Sequence, residues 1–438
     1  MAAVAHHGPA VRVALPHDVA DAGALTAEAY LADRLLGPGE AYEAELRDAE
    51  RRAREAVLLV ATTPMPLGDG EVVVGSLTLA PYGSSYAEVA GPGEVELRML
   101  AVAPEARGRG IAEMLMVEAL REAVGSGADR VVLSTLDSMV VAHRLYDRLG
   151  FASAPERDWS HEGVHLRVRT WTPPAAPGAL VESATWRPLR TLDVDGWRLG
   201  LSEGLTRRAN SVLPVGAPAD VTAALSAVES VYARAGRPAT FRVCRAARPA
   251  GLDTLLDARG YRVEASTDVL VRGLDEPPGG VRRPSATTRP GAGGPVRVPA
   301  AHEPDEDWLA TWLGVKGQAD PAVARGVLEG SQALYLTAVE NGEPLGVLRA
   351  AFAEDWVGLS SLVVVPAARR RGLARTLTLE ALARAAELGA RRAFLQVEVS
   401  NSAAARLYAD LGFRPAERYH YRERALTAGP PGAGADAR

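Results

Sequence analysis

A mixed α/β architecture, with two complete copies of one domain and a degenerate half-copy between them, is predicted by three features of the sequence. The loop "ARGRGIAEML" at residues 106–115 has a near twin, "ARRRGLARTL", at 368–377. The same order of strand-like and helix-like segments surrounds each loop. Downstream of each loop comes a matching helix end, "LYDRLGF" or "LYADLGF", with a weaker echo, "LLDARGY", at 255–261. Arg107 and Arg369 lie 262 residues apart, so a whole domain is repeated and not a short solenoid unit.

In the first copy, 8–171, the short strand "VRVAL" precedes helical sequence from Asp18 to about Glu55. Three runs rich in β-branched residues follow, "VLLVAT", "EVVVGSLTLA" and "EVELRMLAV". After the loop, "IAEMLMVEALREAV" places apolar residues at helical spacing. The strand "DRVVLST", the helix "SMVVAHRLYDRLG" and a strand around "HLRVRTW" complete the copy. The copy at 296–425 repeats this order, from "VRVPA" through helices at "EDWLATWLGV" and "AVARGVLEG" to a final strand near "ERYHYRER".

The segment 186–274 reads as strands "GWRLGLS" and "RANSVLP", helix "DVTAALSAVESVYARAG", strand "TFRVCR", helix "GLDTLLDARG" and strand "STDVLVRG". That is the second half of the same order without the arginine–glycine loop. It is expected to complete a sheet or to pack beside its neighbour. "TPPAAPGALVESAT" (172–185) and the Pro/Gly-rich 275–295 read as linkers, and "TAGPPGAGADAR" as a frayed tail.

Composition narrows the function. The net charge of −5 argues against a broad basic face for nucleic acid. No run approaches the ~20 apolar residues of a membrane span, and the N-terminus lacks a signal-peptide pattern, so a cytoplasmic protein is expected. Lys316 is the only lysine. Cys244, the only cysteine, sits in the apolar run "TFRVC" without metal-spaced partners and reads as buried and structural. His143, His161, His165 and His420 are scattered, and no metal site is expected. Trp308, Trp312 and Trp356 suit either a core or a cleft.

Both loops follow a strand and open a helix. That junction offers unpaired backbone N–H groups and the positive end of a helix dipole, while glycine permits close backbone approach. Nearby arginines add charge-assisted hydrogen bonds, and the ligand so described is a pyrophosphate. A dinucleotide fingerprint fails, because Glu113 stands where its last glycine belongs. A P-loop fails for want of Gly-Lys-[Ser/Thr].

The pattern [Gln/Arg]-x-x-Gly-x-[Gly/Ala], as Arg107…Gly110…Ala112 and Arg369…Gly372…Ala374, together with "LYxxLGF", resembles the GNAT (GCN5-related N-acetyltransferase) superfamily. The half-domain followed by "EDWVGLSSLVVVPAARRRGLA" resembles a group of actinobacterial members, and the tandem layout is similar to mycothiol synthase. The resemblance implies two GNAT mixed-sheet domains, acetyl-CoA as co-substrate and no metal. It implies cofactor contacts from Leu100, Ala101 and Val102 and from the loop Arg107, Gly108, Arg109, Gly110, Ile111 and Ala112. In the later copy it implies Leu362, Val363 and Val364, then Arg369, Arg370, Arg371, Gly372, Leu373 and Ala374, with Asn401.

By the same resemblance, Tyr146 and Tyr408 lie near the CoA sulfur and protonate it. Six residues before Val102 is Glu96, a candidate general base whose alternative is a solvated strand carboxylate. The equivalent position in the later copy is Gly358, leaving Glu398 as the candidate there, with Glu354 and Asp355 nearby. Met139 stands where the later copy has Asn401. The leading expectation is an N-acetyltransferase acting on a primary amine of a small molecule or protein, as a monomer or homodimer, with the later copy as the main catalytic unit. The alternatives are a non-catalytic acyl-CoA sensor or assembly module, and a tandem synthase acetylating a thiol-sugar or aminoacyl acceptor.

Overall fold

The computed structural model describes residues 9–36, 41–65, 70–161, 163–275, 294–317 and 319–426. The expected linker at 275–295 and the C-terminal tail fall almost wholly outside these residues. The chain divides into two units, 1–174 with 402–409, and 175–401 with 410–438.

The first unit begins with β1 (Ala10–Val13), then α1 (Val19–Ala32), α2 (Ala41–Arg47) and α3 (Ala49–Glu55). The strands β2 (Val57–Pro64), β3 (Glu71–Pro81) and β4 (Glu94–Val102) form an antiparallel meander. The remainder is α4 (Ile111–Gly125), β5 (Arg130–Thr135), α5 (Val140–Leu149), β6 (Ala152–Ser153), β7 (Trp159–His161) and β8 (Val164–Trp171). The sheet order is β1-β2-β3-β4-β5-β8-β6, with β7 paired to β8. Only β4 and β5 run parallel, and α4 is the crossover between them. The apolar face of α4, including Ile111, Leu115, Ala119 and Leu120, is buried in the core with Leu59, Leu77 and Leu97 of the strands.

The second unit contains α6 (Ala179–Thr185), β9 (Arg190–Val194), β10 (Trp197–Leu201), β11 (Val212–Leu213), α7 (Val221–Arg234), β12 (Ala239–Val243), α8 (Leu252–Ala258) and β13 (Arg262–Gly273). It continues with β14 (Ala300–Ala301), α9 (Glu306–Lys316), α10 (Pro321–Glu329), β15 (Ala333–Glu340), β16 (Glu343–Ala353), β17 (Trp356–Val364), α11 (Leu373–Glu387) and β18 (Arg392–Glu398). The helix α12 (Ser402–Asp410) and the strand β19 (Arg414–Arg424) close the chain, residues 402–409 grouping with the first unit.

The eleven-stranded sheet of this unit runs β14-β15-β16-β17-β18-β13-β19-β12-β11-β10-β9. The last strand of the middle segment, β13, lies between β18 and β19. It pairs Thr267 with Glu398 on one side and Asp268 with Arg418 on the other. In the first unit the place beside β5 is taken by that copy's own β8. The middle segment and the later copy have therefore exchanged strands and share one hydrogen-bonded sheet, in which Val269, Leu270 and Val271 are buried. The expectation of two mixed-sheet domains with a half-copy between them holds, and the half-copy completes a sheet.

The stretch 172–185 is not all linker. Its second half is the helix α6, which packs on β16 and β17 and buries Ala179, Val181, Glu182 and Thr185. Glu182 is fully buried and accepts a bond from Arg242 at 2.6 Å. The buried Arg349 donates to the Thr185 carbonyl at 2.8 Å, the Leu328 carbonyl at 2.9 Å and Ser331 Oγ at 2.7 Å. Polar side chains inside this layer satisfy helix-end carbonyls that would otherwise be orphaned. A Pro/Ala/Gly-rich composition hid the helix, because its stability comes from this packing and not from propensity.

Candidate active site

The two glycine loops fold alike. Each begins with a one-turn 3-10 helix, Pro104–Ala106 or Pro366–Ala368. Arginine Nε then returns to the carbonyl at the end of the strand, Arg107 to Val102 and Arg369 to Val364, at 3.3 Å in both. Gly110 and Gly372 stand at the head of the following helix with φ of 76° and 81°, in the left-handed region that side chains with a Cβ avoid. No side chain caps either helix. A Cβ at Gly108, Gly110 or Gly372 would meet nothing within 4 Å. Each helix therefore opens with its N–H groups and positive dipole end toward free space, which fits an anionic phosphate.

The loops differ in their arginines. Arg107 is held by Asp33 in a two-pronged pair at 2.6 and 3.1 Å. Arg371 is paired with Glu340 at 2.6 Å, whereas Arg370 takes the left-handed conformation (φ 65°) that Gly108 holds in the first copy. Arg107 and Arg369 thus shape the loop through their Nε, which limits what they offer a ligand directly.

Just before each loop the sheet opens. The parallel pairing of β4 with β5 covers Glu94–Leu97, although β4 runs on to Val102. That of β17 with β18 covers Trp356–Leu359, although β17 runs on to Val364. A bulge lies at the point of divergence, where Met99 and Ser361 adopt left-handed φ of 57° and 56°. Beyond the bulge, Ala101–Val102 and Val363–Val364 pair with β3 and β16 on one side only, which leaves their other backbone edge outside the sheet.

Glu96 is fully buried, so it is not a solvated strand carboxylate. Its Oε2 accepts backbone N–H bonds from Glu88, Val89 and Ala90 at 2.7, 2.8 and 3.2 Å, while Oε1 has no hydrogen-bond partner. Burial outweighs these bonds and the Arg98 charge and holds its pKa above the ordinary value. In the second unit, a Cβ on Gly358 would stand 2.7 Å from Phe394 Cζ and 2.9 Å from Thr185 Oγ1. The absent carboxylate is explained by this crowding. Glu398 is exposed at the end of β18.

Tyr146 and Tyr408 are buried on α5 and α12. Burial pushes the Tyr146 phenol up to about 12 and raises Tyr408 as well, so both hydroxyls remain protonated donors at neutral pH. Both lie above the ordinary phenol value near 10. Asn401 lies in the turn after β18, its N–H bonded to the Glu398 carbonyl at 2.8 Å.

The two bulges open onto different surroundings. Met99 is buried in an apolar cluster with Tyr86, Leu36 and Leu46. Ser361, with Ser360, instead lines a cavity of about 650 Å³ within the second unit. Its walls come from the 203–208 turn with Trp186 and Arg237 of the middle segment, and from α9 and the start of α10. Ser360 Oγ, Ser361 Oγ and the Trp312 indole Nε1 are buried there without a hydrogen-bond partner. Of the three candidate tryptophans, Trp308 and Trp356 are core, and Trp312 alone borders this cavity.

Glu203, Arg208, Arg237 and Lys316 of the cavity were missed in the sequence, although Lys316 was marked as the sole lysine. They come together only through the shared sheet. Cys244 is buried, and burial raises its thiol pKa, which fits a structural role. Among the described residues, no group of three or more His, Cys, Asp or Glu could hold a metal. No helix among them is long and apolar enough to cross a membrane.

Comparison with known proteins gives two family matches. Residues 181–422, more than half of the chain, match the family described as "Probable histone acetyltransferase Rv0428c C-terminal". Residues 28–151 match the "Acetyltransferase (GNAT) family". The Bacillus subtilis "Uncharacterized N-acetyltransferase YobR" is 26% identical, over 55% of this chain and 94% of its own. A GCN5-related N-acetyltransferase from Sphaerobacter thermophilus is 16% identical, covering 95% of both chains with a TM-score of 0.33. A tandem GNAT protein from the clavulanic acid biosynthesis pathway is also 16% identical, covering 97% of this chain and 100% of its own with a TM-score of 0.33.

Proposed function

The chain belongs to the GNAT acetyltransferases, in the family described as "Probable histone acetyltransferase Rv0428c C-terminal", and we propose that its second unit transfers the acetyl group of acetyl-CoA to a primary amine of a small molecule or protein. The observation that carries this assignment is the contrast at the bulge. Ser361 borders an open cavity with unpartnered polar groups, and Met99 in the first unit is packed in apolar side chains. The first unit, with its intact cradle, is a second acetyl-CoA site.

In this reading the loop Arg369–Ala374 and the first turn of α11 hold the pyrophosphate, and the free backbone edge of Leu362–Val364 aligns the pantetheine. An ammonium group first loses a proton, because only its lone pair can attack. The amine nitrogen then bonds to the thioester carbonyl carbon, and backbone N–H groups at the splayed strand stabilise the oxyanion. The carbon–sulfur bond breaks and the CoA thiolate leaves; by the family resemblance Tyr408, on the stretch that groups with the first unit, is the candidate proton donor. A phenol whose pKa is raised by burial favours hydrogen-bond stabilisation of the thiolate over full proton transfer. Glu398 and Glu203 are the candidate proton acceptors in this unit, and Glu96 with Tyr146 the counterparts in the first.

Thiol release from acetyl-CoA, measured with an amine library on the full chain and on its Tyr408→Phe variant, tests the reading. Amine-dependent release that falls in the variant is expected. Acetyl-CoA binding without turnover by any amine would favour a sensor or assembly module instead.

A further inference from the structure

The cavity beside Ser361 has a chemistry of its own. Three cationic side chains line it, Arg208, Arg237 and Lys316, against two carboxylates, Glu203 and Asp320. One of these carboxylates is already engaged. Asp320 caps α10, accepting from the Ala322 and Val323 N–H groups at 2.8 and 3.1 Å. The lining carries three positive groups and two carboxylates, one net positive charge, with Asp320 turned to the α10 N–H groups.

Two of the cations are set in place. The Arg208 guanidinium lies over the Trp186 ring, 5.2 Å from its centre, and Arg349 lies 5.5 Å from the same ring. Trp186 is fixed in turn by its Nε1 bond to Thr206 Oγ1 at 3.2 Å. Arg237 donates to the Glu203 carbonyl and so pins the turn that carries Arg208. Lys316, the only lysine of a chain whose other basic residues are arginines, ends α9 at the cavity.

Unpartnered polar atoms lie just behind this wall. An indole N–H can only donate, and Trp312 is 3% exposed with its Nε1 unpartnered. That nitrogen exposes almost no surface, so its donor lies behind the cavity wall and the cations carry the recognition. The hydroxyls of Ser360 and Ser361 can donate as well. A lysine-rich segment brings donors and positive charge to a wall that already has both. A carboxylate brings what the wall lacks.

We propose that the acceptor of the second unit is a small amino acid-like amine whose carboxylate is held by Arg208, Arg237 and Lys316. This rests on the acetyl-transfer reading above. Glu203, in the same lining, is the candidate acceptor for the proton of such a molecule's amine. A cavity of about 650 Å³ suits a compact molecule better than a folded protein surface.

The test compares free L-amino acids, the same amino acids as C-terminal amides, and a lysine-rich peptide as acceptors for the full chain, by thiol release. Removing one carboxylate partner of a charge-assisted bond typically costs about tenfold or more in affinity. The free acids are expected to exceed their amides by about that factor in kcat/KM, and the peptide by more. Arg208→Ala should lower kcat/KM for the acids at least several-fold more than for the amides. Arg208→Lys should restore part of the difference, and Lys316→Gln, at an exposed helix end, should reduce it without relying on the stacked guanidinium. Amides or the peptide turning over as well as the acids would overturn the inference and leave acetyl transfer standing. Absence of thiol release with every amine, while acetyl-CoA binds, would overturn both.

Discussion

Thr185 Oγ1 lies 2.9 Å from the point where a Cβ on Gly358 would stand, and Phe394 Cζ lies 2.7 Å from it. The helix α6 and the ring of β18 have closed over the strand position that carries Glu96 in the first unit. Gly358→Glu therefore cannot restore a base. It is expected to destabilise the second unit by about 1–3 kcal/mol or more, the usual cost of overpacking a closed site, with no gain in thiol release. Urea unfolding beside the acetyl-transfer assay checks both halves of this expectation.

Glu182 and Arg242 form the buried pair that fastens α6 to β12, at 2.6 Å. Removing one partner strands the other charge away from water. Glu182→Ala is expected to cost about 3–5 kcal/mol and to lower the melting temperature markedly. A change within a degree or two would show that water or a neighbouring group compensates.

Glu94 gives the first unit an acid sensitivity. Its bond to Arg157 holds its pKa at about 2, with the Gly91 N–H assisting and burial opposing, against an ordinary value of 4.5. A depressed folded pKa contributes stability that is complete above the ordinary value and disappears as pH falls through the folded one. Between pH 4.5 and about 2, the wild type should lose stability faster than Glu94→Gln. Parallel slopes in acid unfolding would contradict this.

Glu96 predicts the opposite dependence. Its pKa is raised by burial, so its charged form is penalised in the fold and stability falls as pH rises through the folded value. Glu96→Gln keeps a carbonyl oxygen for the three backbone N–H groups and removes the buried charge. At pH 7 its melting temperature should equal or exceed that of the wild type, and the gap should narrow as pH falls toward 4.5. A large loss of stability in the variant at pH 7 would mean that the charge itself holds the loop.

Gly372→Glu and Gly110→Glu separate the two cradles. Both positions have positive φ and open space around the Cβ, so the cost to the fold is about 1–2 kcal/mol of backbone strain and not a clash. A carboxylate there also repels phosphate. Calorimetry should show one acetyl-CoA site lost in each variant, and Gly372→Glu should cost far more turnover than Gly110→Glu. The reverse order would move catalysis to the first unit.

Much of this molecule was legible in its residues. Glycine at 110 and 372, with a strand before and a helix after, specifies a left-handed turn and an uncapped helix end, which are local matters. Periodicity gave the repeated element order, and the repeat gave the duplication. Glu96 was singled out through the family resemblance, six residues before Val102, and the structure shows it buried. What local sequence does not contain is which strand pairs with which. The placement of β13 between β18 and β19 depends on apolar residues, Val269 to Val271, that would suit any central strand. That pairing brings the middle segment to the later copy, turns a Pro/Ala-rich stretch into α6, and joins Trp186, Arg208 and Arg237 to Trp312, Lys316 and Ser361. The two glycine loops are fixed by backbone geometry and short-range residue choice, so the sequence alone determined them. The cavity beside Ser361 is fixed by long-range strand exchange and the burial it allows, so only the tertiary structure decided it.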